Sequence, residues 1–225
     1  MLKISCIIPA YNEGKRIAHV LKIIENHPLV NETIVINDGS TDNTAEVVRK
    51  FKKVKFLNNK KNLGKIKTMI RGLDICKNNT VMFIDSDLVG LTKEDIAELI
   101  KPVAEGRADI TISLRKNAPW FWRIVGMDFI SGERVFNKNI IKNHKELTKL
   151  PGWGLETYMN KQVIKNNLRI KVVRWNNVES PWPQEKFGYL KGTKRLMGMM
   201  IQVFRTGGLF GTIWMVPKML SLRVS

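Results

Sequence analysis

The chain predicts an α/β domain on a mostly parallel sheet, and three observations carry that expectation. Short apolar runs of strand length recur between residues 3 and 112. An amphipathic stretch separates each from the next, and three of them end in polar turns rich in Asp, Asn and Gly. At 225 residues and 44% hydrophobic content, the chain can bury a sizeable core. The expected organisation is one domain over 1–186 and a C-terminal amphipathic helical extension over 187–225.

The first strand is "KISCII", after which Ile17, Leu21 and Ile24 recur at helical spacing, with Val20 and Ile23 widening the stripe. "TIVIN" is the second strand. The stretch "DGSTDNTAEVVRKF" then supplies a helix for which Thr41 or Asp42 is the expected N-cap. "VKFL" is the third strand and "NNLGK" leads into a helix over 65–77. "TVMFI" is the fourth, followed by a helix over 92–104 in which Thr92 and Asp95 form a capping box. "DITIS" is the fifth. Beyond it the rhythm stops: "RKNAPWFWRIVG", "SGERVF", "LPGWGLETYMNKQ" and "LRIKVVRW" read as loops, a strand, a helix and a final strand that shape a second substrate site.

From 187 to 222, Leu190, Met197, Met200, Ile201 and Phe204 share one helical face, with Lys191, Lys194, Arg195 and Arg205 among them. The longest uncharged run, "TGGLFGTIWMVP", is well short of the ~20 apolar residues of a spanning helix. The extension is expected to lie on a membrane surface. The alternative is that its apolar face packs on the domain or on a second copy of the chain, as a homodimer.

Lys and Arg number 38 against 20 Asp and Glu, a net charge of +18. Such a surface attracts phosphate, whether in nucleic acid, a nucleotide or an anionic lipid. A nucleic-acid binder explains the charge but not carboxylates gathered at strand ends, and no recognition motif stands out. A dinucleotide oxidoreductase needs G-x-G-x-x-G after the first strand, where this chain has "PAYNEG". Cys6 and Cys76 have no metal spacing and read as reduced thiols of a cytoplasmic protein. The N-terminus reads as a strand, not an export signal.

Ligands of open α/β sheets bind beyond the C-terminal strand ends, which makes "PAYNEG", "NDGSTDNT" and "DSDLVG" the expected walls of one crevice. In an extended segment, residues i and i+2 point the same way, so Asp85 and Asp87 can face one ion. Mg²⁺ or Mn²⁺ suits those oxygens and bridges to substrate phosphates. An EF-hand is excluded because Val89 and Ile96 stand where oxygen ligands are required. An Asp before a turn also bonds its own backbone, a competing role for Asp38 and for the 85–87 pair. Lys65, at a helix start after Gly64, fits a donor phosphate, although Lys60, Lys61 and Lys67 make a solvated basic face the alternative.

"CIIPAYNEGKRI", "VINDGSTDNTAEVV", "NLGKIKTMIRG", "FIDSDL", "SGERVF" and "GWGLETYM", in this order, resemble the family 2 glycosyltransferases, and among them the polyprenol-phosphate sugar transferases such as dolichyl-phosphate mannose synthase. The likeness spans about residues 3–180. It implies the GT-A fold, a Rossmann-like, mixed but mostly parallel sheet flanked by helices. It also implies a metal-dependent, inverting enzyme that passes a sugar from a nucleoside-diphosphate donor, UDP-sugar favoured, to a polyprenyl phosphate or other membrane lipid. The implied location is cytoplasmic, peripheral at the inner face of the membrane. A soluble or glycan hydroxyl acceptor is the alternative.

By the same resemblance, Pro9, Ala10, Tyr11, Glu13, Asp38, Lys65, Asp85 and Ser86 bind the nucleotide, and Asp85 and Asp87 match the DxD motif that holds Mg²⁺ or Mn²⁺. Glu179, after the last strand, is the expected third ligand, in place of a histidine that some relatives use. Glu156 matches the acidic residue that binds or activates the acceptor, a general base if the acceptor is a hydroxyl. Arg115 and Arg134 match a pair that grips a lipid phosphate, with Arg123 a third possibility. Trp153 is placed against the sugar. The expected catalytic set is Asp87, Glu156 and Arg134. Trp120, Phe121 and Trp122 suit a loop over an apolar tail or at a membrane interface, with core packing the alternative.

Overall fold

A computed structural model describes residues 2–150, 152, 154–207 and 209–225; for residues 187, 195, 199, 200, 203–207 and 209–213 it describes the backbone element alone. Seven strands form one sheet: β1 (Ile4–Ala10), β2 (Glu32–Asn37), β3 (Val54–Asn58), β4 (Thr80–Phe83), β5 (Ile110–Arg115), β6 (Arg134–Asn137) and β7 (Ile170–Trp175). Their order is β3-β2-β1-β4-β6-β5-β7. β1 pairs in parallel with both β2 and β4, so the chain winds outward from β1 and then crosses back over it. That reversal opens a crevice at the C-terminal ends of β1 and β4. β6 runs antiparallel between β4 and β5, which makes the sheet mixed.

Both sheet faces are buried, as the near-continuous apolar strands require. Ile4, Cys6 and Ile8 of β1 face the layer of α1 (Ile17–Ile24), α2 (Thr44–Arg49) and α4 (Lys93–Ala104). Ile7, on the alternate side, faces α3 (Lys65–Ile75) and the later helices α5 (Trp120–Val125), α6 (His144–Leu147) and α7 (Gly154–Lys165). The capping box of α4 forms as expected: Asp95 N donates to Thr92 Oγ1 at 3.2 Å and Thr92 N to Asp95 Oδ2 at 2.9 Å. The cap of α2 differs. Asn43 is its N-cap, while Asp42 divides its carboxylate between Thr44 N and Gly14 N, both at 3.0 Å. The expected loop at "PWFW" is instead the short helix α5, started by Pro119 and stopped by Gly126 in the left-handed region at φ 82°. Trp122 packs edge-on against Phe129, and Trp120 and Ile124 stay exposed.

After β7 come α8 (Pro183–Phe187), α9 (Tyr189–Gly207) and α10 (Leu209–Ser221). The expected boundary at 187 falls at the end of α8. The last helix does not stand apart: Met215 and Met219 are buried in the cluster that contains α3 and α7. Ile170 N donates to Leu222 O, and Val224 N to Ile170 O, each at 2.9 Å, beside β7. Tyr189, Leu190, Met197, Ile201 and Trp214 remain exposed. The tail therefore divides its apolar surface between core and solvent. Met200 and Phe204 of the expected stripe lie outside the described side chains.

Met219→Ala should cost about 2–5 kcal/mol in urea unfolding, the usual penalty for a core cavity. Trp214→Ala, one turn away and exposed, should stay within about 0.5 kcal/mol. Equal small effects would show that α10 is not part of the core.

Candidate active site

The turns after β1 and β2 are stitched to each other before either meets a ligand. Asp38 N donates to Ala10 O at 2.8 Å, Asn12 N to Ser40 Oγ at 2.9 Å, and Glu13 N to Thr44 Oγ1 at 2.9 Å. Gly39 has φ 69°, and a Cβ there would lie 2.4 Å from the Lys61 carbonyl carbon, so only glycine lets the turns after β2 and β3 approach. Asp38 reaches the third turn. Its Oδ1 accepts from Asn59 Nδ2 and Leu63 N, both at 2.8 Å, and its Oδ2 from Gly64 N at 2.9 Å. The backbone-bonding role is thus present, and it fixes the entry into α3.

These turns border a cleft of about 740 Å³. Pro9, Ala10, Tyr11, Glu13, Asp38, Lys65, Asp85, Ser86, Asp87 and Arg115 all line it. The sequence-predicted nucleotide residues and the aspartate pair therefore share one cavity.

Two lysines balance the acids. Lys65 Nζ lies 3.0 Å from Asp85 Oδ1 and 3.4 Å from Glu156 Oε1. Burial works against the ammonium, but Asp85 and Glu156 outweigh it and hold Lys65 above the ordinary lysine range. Burial likewise opposes ionisation of Asp85, and Lys65 and Arg115 more than offset it, so its carboxyl titrates low. Gly132 closes over the pair, since a Cβ there would stand 2.9 Å from Asp85 Oδ2 and 3.1 Å from Lys65 Nζ. On the other side Lys186 Nζ sits 2.5 Å from Glu13 Oε1 and hydrogen-bonds Asp87 Oδ2. Ser180 Oγ donates to the same Asp87 oxygen at 3.3 Å. Burial is the first influence on Glu13 and leaves its carboxyl above the usual range.

Asp87 Oδ1 is buried with no hydrogen-bond partner among the described residues, as is Glu156 Oε2. An unpartnered buried carboxylate oxygen loses its hydration without compensation, and such an oxygen suits a hard cation. Among the described residues no group of three or more His, Cys, Asp or Glu side chains forms a cation cage. Mg²⁺ needs no such cage, because it is commonly held by one or two carboxylates together with substrate phosphates. The residues present fit that mode.

Two expected residues lie elsewhere. Arg134 is wholly buried: Nε donates to Ser131 O at 2.8 Å, one terminal nitrogen to Asn160 Oδ1 at 2.6 Å and the other to Phe129 O at 2.8 Å. It does not line the cleft, so the acceptor-gripping and catalytic parts expected of it give way to bracing the 129–134 turn. Its burial lowers its affinity for the proton. Glu179 bridges to Val89 and pairs with Lys116 at 2.7 Å, so the third metal ligand expected there is not assembled with the aspartates. Trp153 lies outside the described residues. Arg115 is in the cleft, held at 3.4 Å by Asp128 and 3.5 Å by Glu133, with its Nε unpartnered. Glu133 in turn accepts from Ser113 and Ser131. Asp128, Glu133, Asn117, Ser180 and Lys186 were not singled out from the sequence, and only the acid-arginine run "SGER" hinted at any of them.

A family model described as glycosyl transferase family 2 matches residues 5–155. An uncharacterised protein of Methanocaldococcus jannaschii is 37% identical over 119 residues, 49% of this chain and 51% of that one. A dolichyl-phosphate beta-glucosyltransferase of Trichomonas vaginalis is 36% identical over 111 residues, 43% of this chain and 32% of that one. The chain spans about half or less of the length of these curated relatives. Among solved structures, glucosyl-3-phosphoglycerate synthase from Mycobacterium tuberculosis, in complex with Mn²⁺, UDP and glucosyl-3-phosphoglycerate, superposes with a TM-score of 0.72 at 22% identity, covering 91% of this chain and 78% of that one. At that identity the likeness carries the fold, and the fold is GT-A.

Lys65→Met would remove the cation that Asp85 and Glu156 share and should destabilise the protein by on the order of 3 kcal/mol at neutral pH. In the wild type, the stability due to the depressed Asp85 carboxyl is present above the ordinary aspartate pKa and is lost as pH falls through the lower folded value. The variant should behave oppositely, its deficit shrinking from pH 7 toward pH 4 as the stranded Asp85 takes a proton. Urea unfolding at several pH values measures this, and a deficit independent of pH would refute the charge balance.

Proposed function

The chain belongs to glycosyl transferase family 2, and from that premise we propose that it transfers a sugar from a UDP-sugar, with a divalent cation, to a polyprenyl phosphate or related lipid at a membrane surface. The observation that carries this reading is the meeting of Asp85, Asp87 and Lys65 in one cleft at the strand ends, with Asp87 Oδ1 buried and unpartnered. The mycobacterial structure holds Mn²⁺ and UDP in the same fold, which supports the same ligands here.

Each residue then has a physical task. The 10–14 and 38–40 turns and the loop that Asp38 ties down receive the nucleoside, in a pocket whose backbone is already committed. Lys65, at the start of α3, meets the diphosphate with an ammonium and the positive end of a helix. Asp87 and Asp85 would hold Mg²⁺ or Mn²⁺. Bound there, the cation would neutralise charge gathering on the departing diphosphate. The acceptor attacks the anomeric carbon from the opposite face in a single displacement, which inverts it.

A phosphate acceptor carries most of its second charge at neutral pH and needs no base. Arg115, which lines the cleft and makes two long carboxylate contacts, would meet such an anion. A hydroxyl acceptor is the second reading, favoured by the unpartnered Glu156 Oε2, which would take the proton. The lipid acceptor has support from the name of the T. vaginalis relative and from the surface. Among the described residues no helix is long and apolar enough to cross a membrane. Yet Tyr189, Leu190 and Trp214 are exposed on α9 and α10, and Trp120 and Ile124 on α5, beside Asn117 and Pro119 of the cleft wall. On a chain of net charge +18, such apolar groups suit peripheral attachment to the anionic inner face of a membrane.

A panel of nucleotide sugars with lipid-phosphate and hydroxyl acceptors, read by mass spectrometry, tests the reaction. Glycosylated lipid phosphate is the expected product, and absence of any transfer from every donor would refute it. Asp87→Asn should remove metal-dependent turnover while leaving thermal unfolding intact. Glu156→Gln should change turnover little with a phosphate acceptor and lower it about 10²- to 10⁴-fold with a hydroxyl. Because Met219 anchors α10, truncation would confuse docking with folding. Leu190→Glu with Trp214→Glu is the cleaner test: sedimentation with anionic vesicles should fall, and unchanged sedimentation would rule out docking through these helices.

A further inference from the structure

Lys186 is a cation that the chain itself supplies to the acidic wall of the cleft. Its ammonium bonds Glu13 and Asp87 at once, with a side chain only 14% exposed. The segment that delivers it is built, not draped. It leaves the sheet at the Val89–Glu179 bridge, and Asn117 grips both polar groups of the Ser180 backbone, Nδ2 donating to Ser180 O at 2.8 Å and Oδ1 accepting from Ser180 N at 3.2 Å. Gly188 then turns the chain at φ 79°, and α9 returns against α8 so closely that a Cβ on Gly192 would stand 2.3 Å from Gln184 Cα. The position of Lys186 is therefore fixed at both ends of the strap.

The same Asp87 carboxylate has its other oxygen buried and unpartnered. A divalent ion on this carboxylate and an ammonium one hydrogen bond away would repel each other in a cleft that screens poorly. Glu13 adds a second negative charge to the spot that the ammonium occupies.

We propose that Lys186 is a tethered counter-ion that competes with the divalent cation for the Glu13 and Asp87 carboxylates, so that the 180–188 strap stays latched over the cleft until metal arrives and displaces it. This rests on the reading of Asp87 as a metal ligand. The latch makes Lys186 a determinant of metal affinity and offsets one of the two negative charges of the acidic wall in the free protein. Because α8 packs on α9, release at Asp87 also moves the start of the exposed amphipathic helix.

The test is Mn²⁺ binding to the nucleotide-free protein, followed through the electron paramagnetic resonance signal of free Mn²⁺. Lys186→Gln should bind Mn²⁺ at least about fivefold more tightly than wild type, the low end of what removing one unit of repulsion at this range gives. Lys186→Arg should stay near wild type. In the wild-type protein, Mn²⁺ should raise acetylation of Lys186 by a limiting amine reagent, read by peptide mass spectrometry, which keeps the question decidable if a variant fails to fold. Equal or weaker Mn²⁺ binding by Lys186→Gln, or Lys186 labelling that Mn²⁺ leaves unchanged, would overturn the latch while leaving the metal site standing. Absence of Mn²⁺ binding in both wild type and Lys186→Gln, with UDP added as well as without it, would overturn the metal site and the latch together.

Discussion

Burial of carboxylates at the strand ends is the constraint on which the rest of this structure turns. Asp85, Asp87, Glu13, Glu133 and Glu156 are removed from most of their water where β1 and β4 end and β6 and α7 begin. Each ionised group would be costly there without a partner. The chain answers with cations from distant segments: Lys65 from the start of α3, Lys186 from α8, and Arg115 from the end of β5. A site so balanced can exchange one cation for another at little net cost in charge.

The frame that holds these charges is a set of turns tied to one another by hydrogen bonds. The 10–14, 38–44 and 59–64 turns share backbone and side-chain hydrogen bonds, with Asp38 at their junction. Gly39 and Gly132 allow approaches that a Cβ would block. Arg134 is part of this frame, because its donors hold the turn that carries Gly132 and Glu133.

The sequence made the first half of the fold legible because the signals there are local. Strand runs, a 3.6-residue stripe on α1 and the Thr92–Asp95 box each lie within one element. The second half depends on partners far apart in the chain. β6 slips in antiparallel between β4 and β5, which no periodicity announces. The Arg134 guanidinium, expected to grip a lipid phosphate, meets a side chain and two carbonyls that only the folded turn and α7 bring to it. Lys186 is 173 residues from Glu13 and 99 from Asp87, so its place in the cleft left no trace in local pattern. In the tail, the stripe residues Leu190, Met197 and Ile201 face solvent, while Met215 and Met219, outside that stripe, turn to the core.

The central claim is that the aspartate pair holds a divalent cation against the diphosphate of a nucleotide. Its most direct test is a crystal structure of the protein grown with Mn²⁺ and UDP, with the manganese located by anomalous scattering. The account expects the ion on Asp87 Oδ1 or Asp85, in contact with a diphosphate oxygen near Lys65. Manganese elsewhere, or a bound nucleotide with Asp85 and Asp87 still engaged only by lysines, would contradict it.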